Sequence, residues 1–176
     1  MSTDWYVMRT IPGKEQDAIE LTEKKISHKL WDCCRILRKQ QLFRIHGEYT
    51  VSKKEMFPGY IFIRTKHPEM LTEELKKSRE FPQLIGNQQI AIVPVEPDDL
   101  RFLESVCGQE LTHDMKLSTV EVDNEGQVQN ADGVLKPYVG RITRQRLRHR
   151  YVTANVVLFN RQENILFGIR MDGDPE

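Results

Sequence analysis

The sequence predicts an α+β protein in two parts. A mixed unit of strands and helices runs to residue 108, a linker follows over 109–124, and a small all-β barrel occupies 125–176. Three observations carry this. Strand-like and helix-like apolar spacings alternate as far as Gly108. Beyond Gly108 no helical stripe appears, only short β-prone runs between turn residues. Finally, charge changes sign along a chain of net charge zero: residues 96–132 hold two basic and ten acidic side chains, whereas 133–161 hold seven basic and no acidic ones. Charge segregated in this way marks segments with different partners.

Taken in order, residues 5–9 (Trp-Tyr-Val-Met-Arg) form a short apolar run, read as a strand and broken by Pro12 and Gly13. Residues 14–30 read as a helix, with Ile19, Thr22, Ile26 and Leu30 on one stripe. From Cys33 to Val51 the spacing moves to period two. A hairpin turning at Gly47 is expected there, with Arg35, Arg38, Lys39 and Arg44 on its exposed side. Charge on an edge strand also protects against aggregation, so this basic face has two readings. Pro58-Gly59 is a turn, and 60–64 a strand with Ile61 and Ile63 on one face and Tyr60 and Phe62 on the other. Two apolar faces mean either a central strand or an aromatic patch left for a partner.

Pro68 opens a helix whose stripe is Leu71, Leu75 and Ser78, and residues 81–86 read as an apolar loop. Residues 90–93 are a strand. Pro97 opens a further helix, with Asp98 and Asp99 where the dipole favours them and Leu100, Leu103, Val106 and Cys107 as its buried stripe. The barrel strands are expected around 127–130, 139–143, 151–159 and 165–171. Roughly 55 residues is near the lower limit for an independent core.

No signal peptide is expected, since residues 1–4 lack a positive start, and no apolar run approaches a membrane span. The three cysteines are an odd number, two of them adjacent, which suits free thiols in a reducing cytosol. There is no dinucleotide or Walker loop, no HExxH and no GxSxG, and the five histidines lack metal-ligand spacing. Neither an enzyme, a metal nor a cofactor is expected.

With both parts placed, the chain resembles the NusG family of transcription elongation factors. The first part is similar to the NusG N-terminal domain through the opening Trp5-Tyr6-Val7, the helix after it, the run from Phe57-Pro58-Gly59-Tyr60 to Ile63, and Phe81-Pro82 with Leu84-Ile85-Gly86. The second resembles a KOW domain through Gly133, Leu135-Lys136, Tyr138 and Gly140-Arg141-Ile142, then basic residues, then Val156, Leu158 and Phe159-Asn160-Arg161. It departs from the family pattern at Val134, Pro137 and Asn160; asparagine tolerates the left-handed conformation such a turn needs. Its short linker and dense arginines are closest to a specialised paralogue of the LoaP antiterminator type.

The resemblance implies an N-terminal NusG-type α/β sandwich joined by the linker to a small SH3-like KOW barrel. It implies a cytoplasmic bacterial monomer, associated with the nucleoid through RNA polymerase. The clamp helices of the polymerase would dock on Phe57, Pro58, Tyr60, Phe62, Phe81 and Pro82. The KOW domain would contact nascent RNA, expected to be a hairpin, through Lys136, Arg141, Arg144, Arg146, Arg148, His149 and Arg150, because guanidinium groups pair with phosphates and stack on bases. Arg9, Lys14, Arg35, Arg38, Lys39 and Arg44 are candidates for upstream or non-template DNA. The function implied is processive antitermination. The alternatives are a general NusG-like factor whose KOW domain docks a ribosomal protein or termination factor, and a ribosome-associated RNA-binding protein.

Overall fold

A computed structural model describes residues 4–86 and 92–175. In chain order the elements are β1 (Trp5–Arg9), α1 (Glu15–Lys25), β2 (Cys33–Arg35), β3 (Arg38–Ile45), β4 (Glu48–Glu55), β5 (Tyr60–Arg64), α2 (Pro68–Lys76), α3 (Phe81–Ile85), β6 (Ile92–Pro94) and α4 (Pro97–Cys107). There follow β7 (Ser118–Val122), β8 (Val128–Ala131), β9 (Ile142–Arg146), β10 (Tyr151–Leu158) and β11 (Arg161–Arg170), with 3-10 turns at Gln109–Leu111, Gly133–Arg141 and Leu147–His149. The chain forms two compact units, one of residues 1–37 and 57–102, the other of 38–56 and 103–176.

In the first unit four strands lie in the order β2-β5-β1-β6. The central place of β5 explains its two apolar faces. Ile61 and Ile63 are fully buried in a core with Met8, Leu21, Trp31, Leu71, Leu75 and Phe81. Burying each such side chain is worth about 1.5–3 kcal/mol. Tyr60 and Phe62 point to the opposite face, as the period of two requires. Glycine is needed at position 59: its φ is +85°, and an added Cβ would sit 2.8 Å from the Thr10 carbonyl, which is close because the Thr10 amide donates to the Gly59 carbonyl at 2.7 Å.

Several local expectations change. α1 stops at Lys25, because Ile26 turns to extended backbone, and the helix buries Ala18, Leu21 and Thr22 while Ile19 is half-buried and Leu30 lies outside it. The loop expected at 81–86 is the short helix α3. Pro82 is preset for its first turn, the Ser78 hydroxyl accepts the Glu80 and Phe81 amides at 3.3 Å, and Gly86 ends it. α2 ends at Lys76 rather than near Glu80. Of the strand expected at 90–93, Ile90 and Ala91 lie outside the described residues.

The second unit is built on a five-stranded curled sheet in the order β8-β7-β11-β10-β9. β7 pairs parallel with β11 and the other pairs are antiparallel. Curling five strands over Leu135, Val152, Ala154, Leu158, Phe167 and Ile169, all nearly or fully buried, gives a small barrel. β7 lies in the stretch expected as linker. Its alternation of Ser118, Val120 and Val122 is too short to stand out, yet Ser118 and Thr119 pair with Ile169 and Arg170. The strand expected at 139–143 begins later, at Ile142, because 133–141 is wound as 3-10 turns around Pro137, which has no amide to give a sheet.

The β3–β4 hairpin belongs to this unit. His46 and Gly47, both at positive φ, make its two-residue turn. The Gln40 amide donates to the Met115 carbonyl at 2.8 Å, and the Met115 amide to the Arg38 carbonyl at 2.9 Å. β11 comes so close to β3 that a Cβ at Gly168 would lie 2.1 Å from the Gln40 carbonyl oxygen.

Candidate functional site

Two surfaces collect the residues singled out above. The first, on the first unit, follows the Pro58-Gly59 turn. That turn sends Phe57 back beside β5, so its ring stacks on Tyr60 with centroids 5.8 Å apart and meets Phe62 edge-on at 5.9 Å. Phe57 and Tyr60 are half-buried and Pro58 is exposed. Phe62 is fully buried. Phe81 lies in the core, supporting the sheet from the other face, while Pro82 is exposed. Arg9, on β1 opposite Tyr60 in register, donates to the Tyr60 hydroxyl at 3.0 Å, and its guanidinium lies 5.1 Å from the ring centre. A cation–π contact of this kind holds an aromatic in place. The surface is thus an aromatic pair on a rigid sheet with a cation beside it, which can bury large area at little entropic cost. Lys14 is exposed just before α1 and pairs with Asp17 at 3.9 Å.

The second surface, on the second unit, is basic. β9 is an edge strand paired, among the described residues, with β10 alone, and Arg144 and Arg146, two residues apart on it, share one exposed face. Arg148 and His149 follow, exposed, in a 3-10 turn, and Lys136 and Arg141 are exposed on the 3-10 stretch before β9. Among the described residues Arg141, Arg144, Arg146 and Arg148 form no ion pair, whereas Arg38, Arg64, Arg101, Arg150 and Arg161 all do. A recess of about 400 Å³ adjoins Arg144, lined by apolar Val128, Val139 and Ile142 and polar Gln127 and Thr143. Tyr151 is half-buried on β10, directly across from Arg146.

Arg150 is built differently from its neighbours. It sits in the left-handed conformation that ends the turn, and both arms of its guanidinium reach Asp174, at 2.6 and 3.1 Å, while a third donor reaches the Leu147 carbonyl at 2.7 Å. The two side chains are only 15% and 7% exposed. Burial alone would raise the Asp174 carboxyl, but the Arg150 guanidinium, the Met171 amide and Arg170 together hold it below the usual carboxylate range; Asp174 in turn raises Arg150. Because the folded value is lowered, the stabilisation is complete above the ordinary carboxylate range and is lost as pH falls through the lowered value. Asp174→Asn should cost about 2 kcal/mol near neutral pH and flatten the loss of stability below about pH 4, as read from urea unfolding at several pH values. Equal acid slopes in the two proteins would refute this role.

The hairpin residues separate. Arg35 is not on the hairpin: it ends β2 of the first unit, because β2 pairs with β5 instead. Arg38 faces Glu55 at 4.0 Å, and Lys39 is half-buried, so burial and then Lys54 lower its pKa. Arg44 is exposed, without an ion pair among the described residues. Tyr49 and Tyr151 join the surface without standing out in the sequence. Their signal was present as aromatics interleaved with arginines across two strands, but which strand faced which was not. Cys34 and Cys107 are both pushed up to about 12, by burial first, so neither is a ready nucleophile. Among the described residues no group of three or more His, Cys, Asp and Glu is placed to hold a metal, and no helix is long and apolar enough to cross a membrane.

Residues 3–103 match the family described as NusG, transcription termination factor nusG. The chain is 26% identical over 171 residues to the transcription termination/antitermination protein NusG of Thermus thermophilus, covering 92% of this chain and 93% of that protein. It also superposes on a solved structure concerned with domain interaction in Thermotoga maritima NusG. The TM-score is 0.55 at 21% identity, over 94% of this chain and 93% of that one, and this likeness speaks to the fold.

Proposed function

The chain belongs to the NusG family of transcription termination and antitermination factors, and on that premise we propose that it is an elongation regulator that grips RNA polymerase and structured nascent RNA at once. Phe57, Pro58 and Tyr60, with Arg9 beside them, take the clamp helices, and exposed Pro82 adds a contact from α3. Phe62 and Phe81 hold that surface from beneath. Lys136, Arg141, Arg144, Arg146, Arg148 and His149 take the phosphates of an RNA hairpin, and Arg150 shapes the turn that presents them. The protein works by binding, in the bacterial cytoplasm, and catalyses nothing.

The observation that carries the RNA half is the set of four exposed arginines without a carboxylate partner among the described residues, in a segment that contains no acid. Exposed cations clustered on one edge without acids among them raise the local positive potential, and that suits a polyanion. The recess beside Arg144 offers room for a base splayed from a loop.

The test is single-round transcription through an intrinsic terminator, with and without an RNA stem-loop encoded upstream. Read-through should rise with the protein only on the template that carries the stem-loop. Identical read-through on both templates would remove RNA from the mechanism, and no effect on either would remove the regulator.

A further inference from the structure

We propose that the β3–β4 hairpin and the arginine-bearing turn at 147–150 form one continuous surface for a single nucleic-acid backbone, with Tyr49 as the residue that holds the two together. This rests on the reading of the arginine edge as a nucleic-acid surface, and extends it to an element the sequence placed elsewhere.

Tyr49 lies on β4 opposite Arg44 on β3. Its hydroxyl donates to the Arg148 carbonyl at 3.0 Å. Its ring lies 4.2 Å from the Arg150 guanidinium on one side and 5.9 Å from that of Arg44. Two guanidinium groups that share one ring at those distances are within about 10 Å of each other. Phosphates follow one another along a strand more closely than that, so one backbone can run past both places. The Arg150 charge is spent on Asp174, which makes it an anchor for the ring. The charges left exposed at the junction are Arg44 and Arg148. Glu48, at the tip, is the carboxylate at this end of the hairpin and sets the limit of the basic surface.

The hairpin is not a free arm. Its backbone is tied to Met115 and abuts Gly168, so the surface is preorganised at little entropic cost on binding. Tyr49 is a positioning residue: it carries no charge to the ligand, but its ring packs beside Arg44, whose Nε also donates to the Gly47 carbonyl at 3.3 Å, and so joins Arg44 to the turn.

The test is fluorescence anisotropy of the full-length protein with an RNA stem-loop of about 20 base pairs, and with a DNA duplex of the same sequence, over a range of salt. Arg44→Ala and Arg148→Ala should each weaken RNA binding about 5- to 10-fold and lower the salt slope by about one. In a Tyr49→Ala background, Arg44→Ala should change the slope no further, an outcome that a merely stabilising tyrosine would not produce. Tyr49→Phe, which keeps the ring over Arg150, is the control should Tyr49→Ala fold poorly, and it should retain most of the binding.

If Arg148→Ala weakens RNA binding and Arg44→Ala does not, the continuous surface is wrong while the arginine edge stands. An Arg44→Ala loss confined to DNA makes the hairpin a separate DNA contact and overturns the proposal. If neither arginine matters, or the intact protein binds neither probe, the reading beneath the proposal fails with it.

Discussion

Replacing Arg144, Arg146 and Arg148 together by alanine should lower the affinity of the intact protein for a structured RNA by roughly 100-fold. Each arginine is exposed and free of ion pairs among the described residues, so each can contribute about 1 kcal/mol to a phosphate contact, and about 3 kcal/mol is two decades in affinity. The salt response separates this from a loss of fold. With about four phosphates contacted, log K should fall with log salt at a slope on the order of −3, and the triple variant should lose most of that slope. The protein itself should stay folded, since surface changes away from packed groups shift stability by about 0.5 kcal/mol or less. A triple variant that binds with unchanged slope would mean that the basic edge is not an RNA surface. A protein ligand, such as a ribosomal protein or termination factor, would then be the better occupant.

The second large effect belongs to the aromatic surface. Phe57→Ala with Tyr60→Ala should reduce binding to an isolated polymerase clamp-helix fragment by 100-fold or more, because central aromatic anchors are each worth about 2–4 kcal/mol when truncated. Folding should survive. The core of that unit, with Met8, Ile61, Ile63 and Phe81, lies on the face of β5 opposite Tyr60, so the double variant leaves it filled. Near-native far-ultraviolet circular dichroism and a cooperative unfolding transition would establish that. Tyr60→Phe isolates the hydroxyl that Arg9 engages, and should cost only a few-fold in binding. If the folded double variant binds the fragment as tightly as the parent, the clamp contact lies elsewhere.

Both surfaces depend on elements whose nature was legible before their partners were. The strand at 60–64, with its two apolar faces, had to be central or exposed. It is central, and Tyr60 is half-exposed as well, because the chain enters β5 through a turn that leaves the first residue at the rim. The helix from Pro97 was legible through its proline and its first-turn carboxylates; of the expected stripe Leu103, Val106 and Cys107 are buried, but Leu100 is half-buried and Phe102 takes a place in the core instead. β7 was not, since a five-residue strand with one exposed charge has no periodicity long enough to register. The helix at 81–85 is hard to read because five residues make little more than one turn, and its N-cap, Glu80, makes no side-chain cap; the amides there are taken by the Ser78 hydroxyl instead.

What the sequence determined by itself was composition at short range: which residues alternate, where glycine and proline interrupt, and where the charge collects. That sufficed for the class of fold and for finding the runs of aromatic and basic residues, because each is written in consecutive residues. The tertiary structure alone decided that residues 38–56 pack with 103–176, that Arg35 pairs with β5 instead of the hairpin, and that Arg150 is spent on Asp174 while its neighbours are not. The physical reason is the same in each case. A strand's partner is chosen by hydrogen bonding and packing over tens of residues, and a charge is free or spent according to what the chain brings to it from far along the sequence.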